Sequence, residues 1–275
     1  MIELLSSFDA HDFFAANPIS TYLWLALIGL LVGSFLNVVI IRLPVIEELV
    51  VDPSETPLPK TLMGRSHCPC CGAKIPMQYN VPVFSWLYLR GRAACCGEPI
   101  HWRYPVIEIL SSAVSLVALF ILGLSPQLLV ALVAAWMMIA LVVIDIEHKF
   151  LPDRLSLPLL WIGLLSSCFS VFQTPAGAIV GAAFGYGFLW FIGLIYTIRH
   201  KKVGVGQGDM KLLAALGAFS GMIAVPGIMA GAIVTFGIFA LSCLALGKVD
   251  RVTKLCFGPF IAIGFVMWIL MGPYY

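Results

Sequence analysis

Residues 127–149 read QLLVALVAAWMMIALVVIDIEHK. Every side chain from Leu128 to Ile144 is apolar, and the run ends abruptly in Asp145, Glu147, His148 and Lys149. A stretch of this length approaches the ~20 residues that carry a helix across about 30 Å of hydrocarbon. It has no period-2 alternation, and only helices or closed barrels satisfy their backbone inside a bilayer. The stretch therefore predicts a spanning helix that places a carboxylate at its end.

The rest of the chain repeats the pattern. Of 275 residues, 61% are hydrophobic and 11% charged, where a soluble domain has about 45–50% and about 25%. Further apolar runs predict helices over 21–41, 104–123, 155–172, 177–198, 210–223, 227–246 and 256–272. The sixth and seventh also read as one element broken near Pro226. The expected fold is an all-α polytopic membrane protein of about eight transmembrane helices in a lipid bilayer. A small Cys-rich, zinc-ribbon-like insertion lies between helices 1 and 2. Residues 1–20 form a tail without Lys or Arg, hence without the basic start of a secretory signal. Residues 21–41 are the first helix, 42–103 the polar insertion and 104–275 the remaining helices.

Charge placement fixes the expected topology. Counted from an outside N-terminus, all 16 Lys and Arg fall on one side: Arg42 to Arg103, Lys149 and Arg154, Arg199 to Lys211, and Lys248 to Lys254. The positive-inside rule then puts both termini outside and the Cys-rich insertion in the cytoplasm. The net charge of +2 indicates no particular partner, and no nucleic acid is expected.

On this topology Asp145 shares the cytoplasmic side with Asp209, which sits in Gly206-Gln207-Gly208-Asp209-Met210-Lys211 at the start of an apolar helix. Carboxylates at membrane depth are costly and point to function with a named partner; each is the other's natural partner. Two carboxyls that close share one proton, and such a pair can activate water against a peptide carbonyl. Helix ends suggest Asp209 as the readier base and Asp145 as the readier acid. Gly206 and Gly208 are expected to let a substrate backbone lie close, with Lys211 in the same supporting loop. Taken singly, Asp209 also fits a helix cap and Asp145 a solvated interface residue.

With these residues in place the chain resembles the GxGD membrane aspartic proteases, and among them the bacterial type IV prepilin leader peptidases. The resemblance rests on Gly33-Ser34-Phe35-Leu36-Asn37 with Arg42-Leu43-Pro44, and on Cys68-Pro69-Cys70-Cys71 with Asn80-Val81-Pro82 and Ser85-Trp86-Leu87. It continues through Arg103-Tyr104-Pro105 with Glu108, then Asp145, Leu151-Pro152-Asp153 and Gly206 to Ala215. It implies catalytic residues Asp145 and Asp209 and cleavage of the leader of prepilins and type II secretion pseudopilins at the cytoplasmic face of the inner membrane. It also implies methylation of the new N-terminus with S-adenosylmethionine, linked to residues 42–103, with 104–275 as the peptidase core. No nucleotide-binding glycine pattern marks the methyl-donor site; Asn37, Arg90 and Glu108 are the candidates.

Cys68 and Cys71 have metal-ligand spacing, and in a reducing cytoplasm this reads as a structural zinc site. The family's second pair is incomplete, because Ala93 stands where its first cysteine belongs. Cys95, beside Cys96, is the nearest substitute, so Cys68, Cys71, Cys95 and Cys96 are the expected ligands, with Cys70, His67 and His101 in reserve. Two rival readings stay open: a peptidase that has lost methylation, and a proton-coupled transporter, for which an internal repeat is missing.

Overall fold

The computed structural model describes residues 17–47, 67–68, 70–202, 204–246 and 256–271. The expectations for the N-terminal tail, for 48–66 and for Lys248 to Lys254 lie outside the described residues. Helix α1 is Pro18–Ile46, α2 is the short Phe84–Tyr88, α3 Arg103–Leu122, α4 Pro126–His148 and α5 Asp153–Ser167. Then come α6 Pro175–His200, α7 Gln207–Ser220, α8 Ala224–Ala245 and α9 Gly258–Met271. No strand occurs among the described residues; two isolated bridges, His67 with Lys74 and Arg92 with Pro99, pin the insertion. The chain is an all-α polytopic membrane protein.

Sequence and structure differ at helix ends for local reasons. Helix α1 starts early on Pro18, whose missing N–H costs nothing in the first turn. It continues past the expected stop at Pro44 to Ile46. The break after α7 falls at Gly221, whose φ of 78° suits a residue without Cβ. Pro226 instead sits in the first turn of α8. Helices α1, α3, α4, α6 and α8 are long and apolar enough to span. Helices α5, α7 and α9 have 15, 14 and 14 residues. At ~1.5 Å per residue they reach roughly 21–23 Å, short of a full crossing.

Two compact units divide the chain, Met1–Ala140 and Leu141–Tyr275, and the division falls within α4. In the first unit, α1 and α3 pack backbone to backbone. A Cβ on Gly29 would stand 2.6 Å from the Ser112 Cα, and one on Gly33 2.6 Å from the Glu108 Cα. Small residues four apart give membrane helices this close approach, where apolar burial alone offers no driving force. The Ser112 hydroxyl donates to Ala26 O at 3.0 Å across the same contact. The N-terminal part of α4 joins through Leu128 and Leu132 on Leu119, and Trp136 Nε1 donates to Ser115 Oγ at 3.1 Å.

The second unit is built around α7. Met210 and the whole run Leu212 to Phe219 are buried, as expected of a helix apolar on all sides. Helices α5, α6, α8 and α9 surround it. Gly181 and Gly185 on α6 lie directly on the α7 backbone at Gly217 and Leu213. A short α7, enclosed from Leu212 to Phe219, holds Asp209 in its first turn.

Candidate functional site

Asp145 is in the last turn of α4 and is 5% exposed. Its Oδ2 accepts the backbone N–H of Gly258, the first residue of α9, at 3.0 Å. A Cβ at 258 would stand 2.6 Å from that oxygen and would displace the carboxylate. Asp209 is the third residue of α7, after the cap residue Gly206 and then Gln207 and Gly208. It is therefore in the first turn and does not itself cap. The charge of Asp145 acts on Asp209, and both act on the Cys256 thiol, which also feels Lys149. The two aspartates singled out in the sequence therefore lie within electrostatic reach of each other. Both face a helix N-terminal end, Asp209 within α7 and Asp145 against α9. This removes the basis for separating their roles by helix dipoles.

The loop between α4 and α5 links the two carboxylates. Leu151 is buried, and a Cβ on Gly208 would stand 2.7 Å from the Leu151 Cβ. The Leu151 Cδ1 also lies 3.5 Å from the place of a Cβ on Gly258. A path of contacts therefore runs Asp209, Gly208, Leu151, Gly258, Asp145. Gly208 serves close packing inside a helix, and Gly206 is extended at φ −69°, so neither uses positive φ. Lys211 Nζ meets Asp153 Oδ1 at 2.6 Å, tying the start of α7 to the start of α5. Sequence reasoning missed Gly258 and the packing role of Leu151. The Gly258-Pro259 pair signals a helix start, but nothing local announces a partner so far away in the chain.

The four expected cysteines converge in the first unit, their sulfurs all within 4.8 Å of one another. Cys68 Sγ lies 3.7 Å from Cys96 Sγ, Cys71 Sγ 3.4 Å from Cys95 Sγ, and Cys95 Sγ 3.9 Å from Cys96 Sγ. A tetrahedral zinc thiolate site with Zn–S of about 2.3 Å has edges of about 3.8 Å, so this donor set fits zinc. Two matching turns present the ligands. Cys68 N donates to Ala73 O and Gly72 N to Cys68 O; Ala93 N donates to Glu98 O and Gly97 N to Ala93 O. Ala93 is thus the counterpart of Cys68, and Cys95 supplies the sulfur that Ala93 lacks. Burial raises the Cys68 thiol, but hydrogen bonds, first from the backbone of Cys71 and Cys70 and then from the Cys95 and Cys71 side chains, together bring it down to about 7. Cys95, hydrogen-bonded first to Cys71 and then to Cys68, is pushed up to about 12. Cation binding to such a set displaces the protons.

The methyl-donor candidates occupy different settings. Asn37 is 2% exposed; its Nδ2 donates to Gly33 O and Tyr104 O, both at 3.2 Å. No described partner reaches its buried Oδ1. Arg90 is exposed on a turn with φ 51°. Glu108 is buried on α3; its Oε2 accepts the Val83 N–H at 2.7 Å, and the Ser34 side chain also bonds to it.

The Bacterial Peptidase A24 N-terminal domain model matches residues 27–122, and the Type IV leader peptidase family model matches residues 132–241. A protein from Dichelobacter nodosus called prepilin leader peptidase/N-methyltransferase is 40% identical over 265 residues, covering 90% of this chain and 91% of that one. One of the same name from Xanthomonas campestris is 39% identical over 248 residues, 86% of each chain. Another, from Legionella pneumophila, is 39% identical over 267 residues, 93% of each. No solved structure matches the chain.

Proposed function

The chain belongs to the type IV leader peptidase family, and from that premise we propose that it cleaves prepilins and N-methylates the product, with one reaction in each unit. The second unit, which holds the greater part of residues 104–275, carries the peptidase, with Asp145 and Asp209 as its catalytic residues, while α3 packs within the first unit. The first helix and residues 42–103 serve methyl transfer. Both sites work at the cytoplasmic face of the inner membrane, as the one-sided distribution of Lys and Arg supports. Type II secretion pseudopilins, which share a leader followed by an apolar helix, are substrates of the same kind.

What supports this reading is that Asp145 and Asp209, both in the second unit, lie within electrostatic reach of each other, neither with an ion-paired cation among the described residues. Two carboxyls in that relation share a proton. One draws a proton from water, which attacks the scissile carbonyl; the protonated partner polarises the carbonyl oxygen and then returns a proton to the leaving amine. A transporter would keep its acids nearer the bilayer midplane, whereas Asp145 and Asp209 stand at helix ends.

S-adenosylmethionine, when bound, supplies an electrophilic methyl group on a sulfonium. Toward it, Asn37 offers the buried acceptor Oδ1 to an amino group, and exposed Arg90 offers a guanidinium to a carboxylate. Zinc on Cys68, Cys71, Cys95 and Cys96 is structural: it locks together the two turns that frame this segment. Because Cys95 completes the sulfur set, Ala93 gives no reason to withdraw methylation. The test is Asp145→Asn and Asp209→Asn assayed on an intact prepilin in vesicles. Loss of cleavage in both supports the assignment; wild-type cleavage in either overturns it.

A further inference from the structure

We propose that Glu108 is a positioning residue for methyl transfer: its carboxylate fastens a strained turn centred on Val83 and so fixes the segment that leads into the second cysteine turn. The inference rests on methyl transfer residing in the first unit.

Val83 has φ 61° and ψ −50°, and the Phe84 N–H donates to Pro82 O at 2.6 Å. These are the marks of a γ-turn with positive φ at its centre, a rare and strained conformation. A β-branched side chain is among the least suited to it. Such a turn persists only where its surroundings over-determine it. The surroundings here are explicit. The Val83 N–H donates to Glu108 Oε2 at 2.7 Å. Glu108 is 6% exposed, bonded also to Ser34, and its Cα is pressed against Gly33 of α1. No described Lys or Arg pairs with it. A carboxylate within a membrane span demands a partner, and this one's partners are a backbone amide and a hydroxyl.

The segment after Val83 depends on that anchor. Val83 precedes α2, whose Trp86 donates through Nε1 to Ile100 O at 3.1 Å. Gly91, at φ 71°, lies close against the Trp86 ring, and Ile100 N donates to its carbonyl at 2.6 Å. The bridge from Arg92 to Pro99 then opens the turn that carries Cys95 and Cys96. Glu108 is thus the fixed point from which Arg90, Arg92 and half of the metal ligands are placed. Without it, Val83 relaxes to negative φ and the segment swings.

The test exploits glycine, which adopts positive φ without help. Full-length enzyme in vesicles is prepared as wild type, Glu108→Ala, Val83→Gly and the double variant. Methylation of an already cleaved pilin, cleavage of an intact prepilin, and amide hydrogen exchange over residues 82–92 are measured on each. Glu108→Ala is expected to slow methylation by about tenfold or more, the size of the strain released, and to speed exchange, with cleavage nearly unchanged. Val83→Gly alone is expected to stay within about threefold of wild type, and the double variant to recover both methylation and protection. A double variant that methylates and exchanges like Glu108→Ala overturns the proposal, as does a Glu108→Ala enzyme that behaves as wild type. If Glu108→Ala loses cleavage as well, Glu108→Gln decides: it keeps an acceptor for the Val83 N–H and should retain both activities, and loss of methylation alone overturns the proposal. If wild type itself fails to methylate, the two-unit reading fails, and the exchange comparison still decides the role of Glu108.

Discussion

Glu108 in the first unit and Asp145 in the second are buried carboxylates on apolar helices, and each accepts one backbone N–H, from Val83 at 2.7 Å and from Gly258 at 3.0 Å. Each also lies against a glycine with no space for a Cβ. The difference is the second charge. Asp145 has Asp209 within electrostatic reach, while Glu108 has Ser34 and no second carboxylate. On the proposed reading, the same means of keeping a carboxylate in an apolar helix bundle gives an anchor in one unit and a reactive pair in the other. Burial and hydrogen bonding alone do not identify a catalytic acid; a like-charged neighbour does.

The comparison breaks most readily at the pair. Asp145→Asn and Asp209→Asn are each expected to lower cleavage by about 10²–10⁴-fold. The double variant should be little worse than either single one, since the two act as a unit; rates on an intact prepilin check this, and multiplicative losses would separate the roles. Next is Gly258→Ala. Its Cβ would stand 2.6 Å from Asp145 Oδ2, and a displacement on the order of 1 Å can cost about 100-fold. Cleavage should fall by about that much while methylation of a cleaved substrate persists.

Cys95→Ser sharpens the other side. It should lower zinc content and methylation together, read by metal analysis and product mass, with cleavage retained; Ala93→Cys should leave zinc content unchanged if Cys95 already completes the site. Smallest is Lys211→Met. The ion pair with Asp153 joins side chains 25% and 54% exposed, and such pairs contribute roughly 0–1 kcal/mol. Cleavage is therefore expected to change by no more than about fivefold.

Much of this was legible in the sequence, for identifiable reasons. Continuous apolar runs name the helices, and Asp145 and Asp209 stand out because a charge ending such a run is costly. Cys68 and Cys71 declare themselves by spacing, whereas the place of Cys95 needed the structure, which sets its sulfur 3.4 Å from Cys71 Sγ. Helix lengths were less visible, since Ser167, Ser220 and Gly258 end or begin helices within apolar sequence. The hidden features are those that depend on the backbone of distant residues. The Gly258 N–H that holds Asp145 has no side-chain signature. Positive φ at Val83 runs against its residue type, so propensity points away from it. Gly206 and Gly208 suggested conformational freedom, whereas Gly208 is there because Leu151 leaves no room for more.

The division of labour between the two units is tested most directly by Asp209→Asn enzyme in vesicles, given intact prepilin and separately a cleaved pilin, with the mass of each N-terminal residue measured. The account predicts an uncut prepilin beside a cleaved pilin methylated at the wild-type rate. A cut prepilin, or an unmethylated cleaved pilin from a folded, zinc-loaded enzyme, would contradict it.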